Sequence, residues 1–155
     1  MDEPMREAVI GIGTNVADRS GQIAAARTAL LATPRIETVE LGPIIETEPV
    51  LSGNPEEPHP RYLNTVAVAR VGLSAEVLMA RLLALEAAFG RRRCGDESPR
   101  TLDLDLLLLG RIRCRIPGLT LPHPRMWERS FVRDPLEAIR PGLLREAEGW
   151  FGLEI

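Results

Sequence analysis

Apolar positions along the chain alternate between the two-residue period of strands and the 3.6-residue period of helices. Residues 8–12 form a short apolar run that ends at Gly13, which predicts a buried strand followed by a tight turn. Residues 21–32 carry apolar side chains at helical spacing and predict a helix with one core-facing side. Residues 36–47 are rich in β-branched side chains and predict extended structure, which Gly42 and the following proline interrupt as a bulge or edge.

The same two periods return after a long polar stretch. Residues 48–61 contain four prolines and several acidic side chains, which predicts a loop of the length used for lids and binding loops. Tyr62–Val71 then alternates as a strand. Ser74 is placed to cap a helix over residues 75–89, whose leucine stripe predicts a core-facing side.

The apolar segment bounded by Pro99 and Gly110 carries the strongest chemical signal. It is short for a helix and predicts a buried strand, in which Asp103 and Asp105 share one face about 6.5 Å apart. Two carboxylates on a buried face repel each other and lose hydration unless a cation lies between them. We therefore predict a Mg²⁺ site that brings phosphates with it, and Arg100 is placed to hold one of them.

The same Asp-x-Asp pair has a second interpretation. At the edge of a sheet two carboxylates can simply face water, and the motif alone is weak evidence for a metal. The flanking Pro-Arg-Thr and the four consecutive leucines favour the metal site, because they predict a buried strand.

Arginines and a histidine flank this strand in the sequence. Arg91 and Arg93 lie in a polar loop just upstream, where they either bind anions or simply compensate the dipole of the preceding helix. His123 lies between two prolines, which restrict its backbone. Arg125 and Arg129 follow it, and this cluster would suit a polyphosphate.

The remaining pattern completes an α+β order of elements. Residues 111–115 alternate and predict a short hairpin strand. Residues 125–129 and 131–139 predict helices, followed by an amphipathic tail. The order β-α-β-β-α-β with extra C-terminal helices and a short hairpin predicts a ferredoxin-like sandwich. The length of the chain fits a single domain over residues 1–155.

Composition narrows the range of partners. The formal net charge is −3, and only 4% of residues are aromatic, which disfavours a nucleic-acid-binding module. All 19 basic residues are arginine, so a Walker A lysine is excluded and arginine or metal must bind any phosphate. We find no signal peptide and no apolar stretch of membrane-spanning length. We therefore expect a cytoplasmic protein with neither membrane nor nucleic-acid partners.

Several motifs follow one another in order along nearly the whole chain. They are Ile-Gly-Thr-Asn (12–15), Glu-Thr-x-Pro (46–49), Tyr-Leu-Asn (62–64), Leu-Glu (85–86), Gly-Arg-x-Arg (90–93), Pro-Arg-Thr-Leu-Asp-Leu-Asp (99–105), Leu-Thr-Leu-Pro-His-Pro (119–124) and Arg-x-Phe (129–131). In this order and spacing they make the chain similar to the 6-hydroxymethyl-7,8-dihydropterin pyrophosphokinase family of folate biosynthesis.

The resemblance implies an enzyme that transfers diphosphate from ATP to the hydroxymethyl group of the reduced pterin and releases AMP. It implies a monomer whose partners are these two small molecules, with two Mg²⁺ ions held by Asp103 and Asp105. The implied ATP contacts are Glu86, Arg91, Arg93, Arg100, Leu106, Thr120, His123 and Arg129. The implied pterin pocket consists of Thr47, Pro49, Val50, Tyr62, Asn64 and Phe131. The implied catalytic groups are Arg91, Arg93, Arg100, Asp103 and Asp105.

The chain departs from the family pattern at three points. Its loop after residue 93 reads Asp96-Glu97 and is one residue shorter than in the many members that carry Arg-Trp there. Gly118 replaces an arginine of some members, and Glu48 replaces a common proline. These departures motivate an alternative, a degenerate family member that binds pterin or nucleotide without efficient turnover.

Overall fold

A computed structural model of the protein describes residues 3–15, 19–47, 62–89 and 102–152. The elements in these ranges are β1 (Arg6–Thr14), α1 (Arg19–Leu31), β2 (Ile36–Leu41), β3 (Ile45–Thr47), β4 (Tyr62–Val71), α2 (Ala75–Ala88), β5 (Asp103–Leu109), β6 (Cys114–Ile116), β7 (Leu119–Leu121), α3 (Ser130–Ile139) and α4 (Leu143–Phe151). This mixed arrangement agrees with the predicted α+β class.

The central sheet is antiparallel, with the strand order β2-β4-β1-β5. The short strand β3 pairs with the beginning of β4, and β6 and β7 form a separate hairpin. In the register of β1, Gly13 lies between Asn64 of β4 and Asp103 of β5. Gly11 lies opposite Asp105, so polar residues of three strands meet at one end of the sheet.

Helices cover both faces of the sheet. Helices α1 and α2 pack on one face, whereas α3 and α4 pack on the other. Leu104 and Leu106 pack in the core between the sheet and helices α1 and α2. Leu107 and Leu108 pack in the core between the sheet and helices α3 and α4. A register shift of β5 against β1 accounts for two consecutive leucines in one core, and all four leucines of residues 106–109 are buried because helices cover both faces of the sheet.

Several local predictions are confirmed. The strand Tyr62–Val71 has the predicted bounds. Ser74 caps α2, since its side-chain oxygen accepts the N–H of Val77 at 3.2 Å. The extended stretch over residues 36–47 is interrupted after Leu41, as expected from Gly42 and the proline after it.

Three other local predictions are wrong. Gly13 is not in a turn, because β1 continues to Thr14 and pairs with strands on both sides. Residues 125–129 form successive turns rather than a helix, with the N–H of Glu128 donating to the carbonyl of Arg125 at 3.2 Å. The hairpin strand predicted over residues 111–115 begins only at Cys114.

A close backbone contact seats α3 against the sheet. A Cβ atom on Gly42 would lie 2.8 Å from the carbonyl oxygen of Pro135, so only glycine fits this approach. The buried Thr65 hydroxyl donates to the carbonyl oxygen of Gly42 at 2.8 Å. At the end of α3, Arg140 pairs with Glu7 and Glu40, each at 3.0 Å. These contacts set the position of the helix that begins beside the candidate site.

We expect Gly42→Ala to lower the free energy of unfolding by about 1–3 kcal/mol, because the added methyl group overlaps Pro135. Gly149→Ala is the matched control, since its Cβ would meet nothing within 4 Å in helix α4. The control should raise stability by about 0.5–1 kcal/mol. Urea unfolding followed by circular dichroism measures both values, and equal stabilities for the two variants would contradict the contact.

No helix in the described ranges is long and apolar enough to cross a membrane.

Candidate active site

A cavity of about 450 Å³ opens where the polar rows of β4, β1 and β5 meet. Its floor includes Gly11 and Gly13, which have no side chains to fill the space. A Cβ on Gly13 would lie 3.1 Å from the side-chain oxygen of Asn64, and one on Gly11 would lie 3.7 Å from the Cβ of Asp105. The two glycines therefore keep open a floor bounded by a carboxamide and a carboxylate.

Asp103 and Asp105 form the acidic side of this cavity. Both side chains line it, which confirms the predicted common face, and the intervening Leu104 is buried in the core below. In the described sheet β5 is an edge strand rather than an internal one, and Asp105 is exposed. The prediction of a buried strand is therefore correct for the leucines and wrong for the Asp105 carboxylate.

The opposite side of the cavity combines polar and aromatic groups. The carboxamide nitrogen of Asn64 donates to the hydroxyl of Thr47 at 2.8 Å, which orients both side chains between β3 and β4. Tyr62 and Phe131 also line the cavity. Four of the six predicted pterin-pocket residues are thus brought together around one space that suits a flat polar ring.

Two arginines stand beside the aromatic wall. The guanidinium carbon of Arg129 lies 5.5 Å from the centre of the Phe131 ring, within the range of a cation–π contact. Arg125 lines the same cavity and follows the turn that carries His123. They provide positive charge opposite the two aspartates.

A second cavity, of about 260 Å³, adjoins the first. It is lined by Leu106, Thr120 and His123 among others, and three predicted ATP contacts are therefore neighbours. Asp105 borders both cavities. A ligand that extends from the second cavity into the first would pass this carboxylate.

His123 is held by two backbone hydrogen bonds. Its N–H donates to the carbonyl of Leu107 at 2.8 Å, and its Nδ1 accepts the N–H of Arg125 at 3.2 Å. The neutral ring therefore carries its proton on Nε2. Burial lowers the pKa of His123 from its usual 6.5; the Asp105 carboxylate opposes this, and the Arg129 and Arg125 guanidinium groups add to it.

The lowered pKa predicts how His123 affects stability. The unfolded chain binds a proton at His123 more tightly than the folded chain does. The neutral ring's contribution to the free energy of unfolding is therefore fully present above pH 6.5, and it is lost as pH falls through the lower pKa of the folded state. An NMR titration of His123 should have its midpoint below 6.5. Unfolding free energies from pH 5 to 8 should fall more steeply at the acid end for the wild type than for His123→Asn. A midpoint above 6.5 would contradict the prediction.

Glu86 occupies a different place from the other predicted ATP contacts. It lies in the last turn of α2, is only 3% exposed and lines neither of the two cavities. Its Oε1 accepts the backbone N–H of Leu104 at 3.1 Å. The carboxylate is thus joined to the backbone between the two aspartates.

Five predicted site residues lie outside the described ranges: Pro49, Val50, Arg91, Arg93 and Arg100. Their roles stay predictions. Conversely, the two floor glycines were not among the predicted site residues, because Gly13 was predicted only to end the first strand and Gly11 only to lie within it. A Gly-x-Gly spacing inside a strand places both glycines on one face, and that signal was available from the sequence.

The donor set fits a hard divalent cation. Among the described residues, no group of three or more His, Cys, Asp or Glu side chains is arranged to hold a metal on its own. Mg²⁺ commonly takes one or two carboxylates and completes its coordination with waters and substrate phosphates. Asp103 and Asp105, facing a cavity beside arginines, supply that kind of incomplete protein site.

Two cavities meet at a strand that carries a carboxylate pair, which is the arrangement expected of an enzyme with two small-molecule substrates. A family model described as 7,8-dihydro-6-hydroxymethylpterin-pyrophosphokinase matches residues 9–141. The chain belongs to this family.

Individual relatives agree with the family model. A 2-amino-4-hydroxy-6-hydroxymethyldihydropteridine pyrophosphokinase of Pseudomonas aeruginosa is 34% identical over 139 residues, which cover 90% of this chain and 83% of that protein. The Bacillus subtilis protein of the same name is 33% identical over 140 residues, covering 90% of this chain and 81% of its own length. A mitochondrial folate synthesis bifunctional protein of Pisum sativum is 35% identical over 130 residues, which cover 84% of this chain and 24% of the pea protein.

Proposed function

We propose that this protein transfers diphosphate from ATP to the hydroxymethyl group of 6-hydroxymethyl-7,8-dihydropterin, giving AMP and the pterin diphosphate in folate biosynthesis. Family membership along most of the chain supports the activity. The observation that carries the proposal is the position of Asp105, which borders both cavities. A carboxylate there lies between an acceptor in the larger cavity and a nucleotide that enters from the smaller one.

The described residues divide between the two substrates. For the pterin, Asn64 and Thr47 offer oriented hydrogen-bonding groups, and Tyr62 and Phe131 offer aromatic faces on which a flat ring can stack. Pro49 and Val50 would complete this pocket. With this division, the hydroxymethyl acceptor would lie beside the acidic strand.

For ATP, the smaller cavity accommodates the adenosine end. Leu106 and Thr120 would contact the base. Glu86, which the family resemblance implies near the ribose, lies outside this cavity in the last turn of α2. His123 presents Nε2–H, and Arg129 presents its guanidinium, to phosphate oxygens. Arg91, Arg93 and Arg100 would bind the triphosphate from the other side.

We propose that Asp103 and Asp105 hold two Mg²⁺ ions. When bound, these ions supply positive charge that offsets the phosphate charge of ATP. The chain's own contribution would be to hold the acceptor hydroxyl and the β-phosphate within reaction distance, in a site where arginine and histidine donors would face the phosphates. No described residue requires a general-base role, so catalysis rests on positioning and electrostatics.

An assay for AMP tests the proposal. With Mg²⁺ and ATP, the folded protein should form AMP and pterin diphosphate only when 6-hydroxymethyl-7,8-dihydropterin is present, and a chelator should stop the reaction. Chromatography separates AMP from ADP, so a single-phosphate transfer would be recognised. A folded protein that binds both substrates and makes no AMP would refute the activity and support the degenerate alternative.

We also infer the fold class, the extent of the domain and the oligomeric state. The split order β2-β4-β1-β5 with α1 and α2 on one face supports a ferredoxin-like sandwich extended by α3 and α4. We propose that residues 1–155 form one domain and that the enzyme acts as a cytoplasmic monomer. Size-exclusion chromatography with light scattering tests the monomer, and a dimer mass would contradict it.

A further inference from the structure

A buried carboxylate at the end of α2 is the starting point. Glu86 is only 3% exposed and lies in the last turn of the helix, where the dipole disfavours negative charge. Burial of an ionised carboxylate is costly unless hydrogen bonds compensate it. One such bond joins Glu86 Oε1 to the N–H of Leu104 at 3.1 Å. This bond links the carboxylate of Glu86 to the backbone of β5.

The position of that backbone group gives the bond its importance. In the described sheet β5 pairs with β1 on one side only, and Leu104 lies opposite Ile12. On an edge strand, alternate N–H groups point away from the neighbouring strand and lack ladder partners. Glu86 accepts the hydrogen bond of one of these N–H groups, as the carbonyl of a neighbouring strand would if the sheet continued beyond β5.

Leu104 separates the two aspartates of the cavity. Its side chain is 2% exposed and packs into the core, while its neighbours Asp103 and Asp105 face the cavity. The backbone at Leu104 is thus held from below by packing, from one side by β1 and from the other by Glu86. Loss of the hydrogen bond from Leu104 to Glu86 would loosen the Asp103 and Asp105 carboxylates together.

We propose that Glu86 is a positioning residue that fixes the Asp103–Leu104–Asp105 backbone and so sets the carboxylate pair for a divalent cation. This inference rests on the proposed function for its cation and nucleotide, and it extends that function by giving Glu86 a role through the backbone. A metal-binding pair must be held within a fraction of an ångström, so a loosened strand weakens cation binding without changing the ligands themselves.

Three variants of Glu86 and one control separate the possibilities. Glu86→Ala and Glu86→Met remove the acceptor, and the methionine keeps most of the volume in case the alanine variant does not fold. Glu86→Gln keeps a carbonyl oxygen as acceptor. Glu76→Ala removes an exposed carboxylate from the first turn of the same helix.

Two measurements test the proposal without requiring catalytic activity. Hydrogen exchange of the Leu104 amide, followed by NMR in the metal-free protein, reports the bond directly. Electron paramagnetic resonance of Mn²⁺ with a non-hydrolysable ATP analogue reports cation affinity. Glu86→Ala and Glu86→Met should speed the exchange and weaken Mn²⁺ binding by about 10- to 100-fold. Glu86→Gln should restore Leu104 protection and most of the affinity, and Glu76→Ala should change neither.

Three results would overturn the proposal. Unchanged Leu104 exchange in the acceptor-free variants would show that the bond does not hold the backbone. Faster exchange with wild-type Mn²⁺ affinity would limit Glu86 to a structural role. Weaker Mn²⁺ binding with full Leu104 protection would mean that the charge of Glu86 acts directly. Failure of the wild-type protein to form AMP would instead refute the proposed function, and it would leave these measurements interpretable.

Discussion

Asp105→Ala is expected to lower the rate of AMP formation by about 1,000-fold or more while pterin binding stays near the wild-type value. The carboxylate borders both cavities, so its loss removes charge at the place where the nucleotide and the acceptor would meet. The groups that line the pterin side, Asn64 and Phe131 among them, are unchanged. Single-turnover assays for AMP and fluorescence titration of the pterin measure the two effects separately.

Asp134→Ala is the matched control for this variant. Asp134 is an exposed aspartate of α3 and lines neither of the two cavities. It should retain the wild-type rate. An Asp105→Ala protein that keeps the wild-type rate would exclude the carboxylate pair as the cation site.

Gly11→Val is expected to reduce kcat/KM for the pterin by about 100-fold, because its branched side chain would project into the cavity that the glycine leaves open. Valine suits the interior of a strand, so the fold should be retained. Thermal unfolding confirms the fold, and pterin titration with steady-state kinetics measures the loss.

Gly11→Ala distinguishes filling of the cavity from damage to the strand. Its methyl group would meet Leu107 and Asp105 at 3.4 and 3.7 Å, which are ordinary contact distances. The alanine variant should therefore lose much less activity than the valine variant. Equal and small effects of both would show that the acceptor binds elsewhere.

The sequence predicted the sheet and its chemistry well where side-chain alternation is strong. Asp103 and Asp105 share a face as expected, and Thr47, Tyr62, Asn64 and Phe131 converge on one cavity. The family expected from the motifs is confirmed. These successes share a cause, because strand periodicity and ordered motifs are local properties of the chain.

The errors arise where tertiary contacts override local pattern. Gly13 reads as a turn residue, yet pairing with both β4 and β5 extends β1 through it. Residues 125–129 have helical spacing but form turns, and the N–H of Arg125 donates to Nδ1 of His123. Asp105 is exposed because its side chain faces the open cavity, and the sequence does not show which part of the sheet face the helices leave uncovered.

Glu86 illustrates a further limit of sequence reasoning. A glutamate in the last turn of a helix is visible in the sequence as an unfavourably placed charge. Its partner, the N–H of Leu104, is 18 residues away and carries no side-chain signal. Bonds to backbone groups of distant strands are therefore found only once the fold is known.

The sharing of Asp105 by two cavities has a thermodynamic consequence. A ligand that changes the charge or orientation of this carboxylate in one cavity alters the free energy of binding in the other. Linkage requires the effect to be reciprocal: whatever factor nucleotide binding applies to pterin affinity, pterin binding applies to nucleotide affinity. The two substrates are therefore expected to bind as an energetically coupled pair, with one side chain carrying part of the coupling.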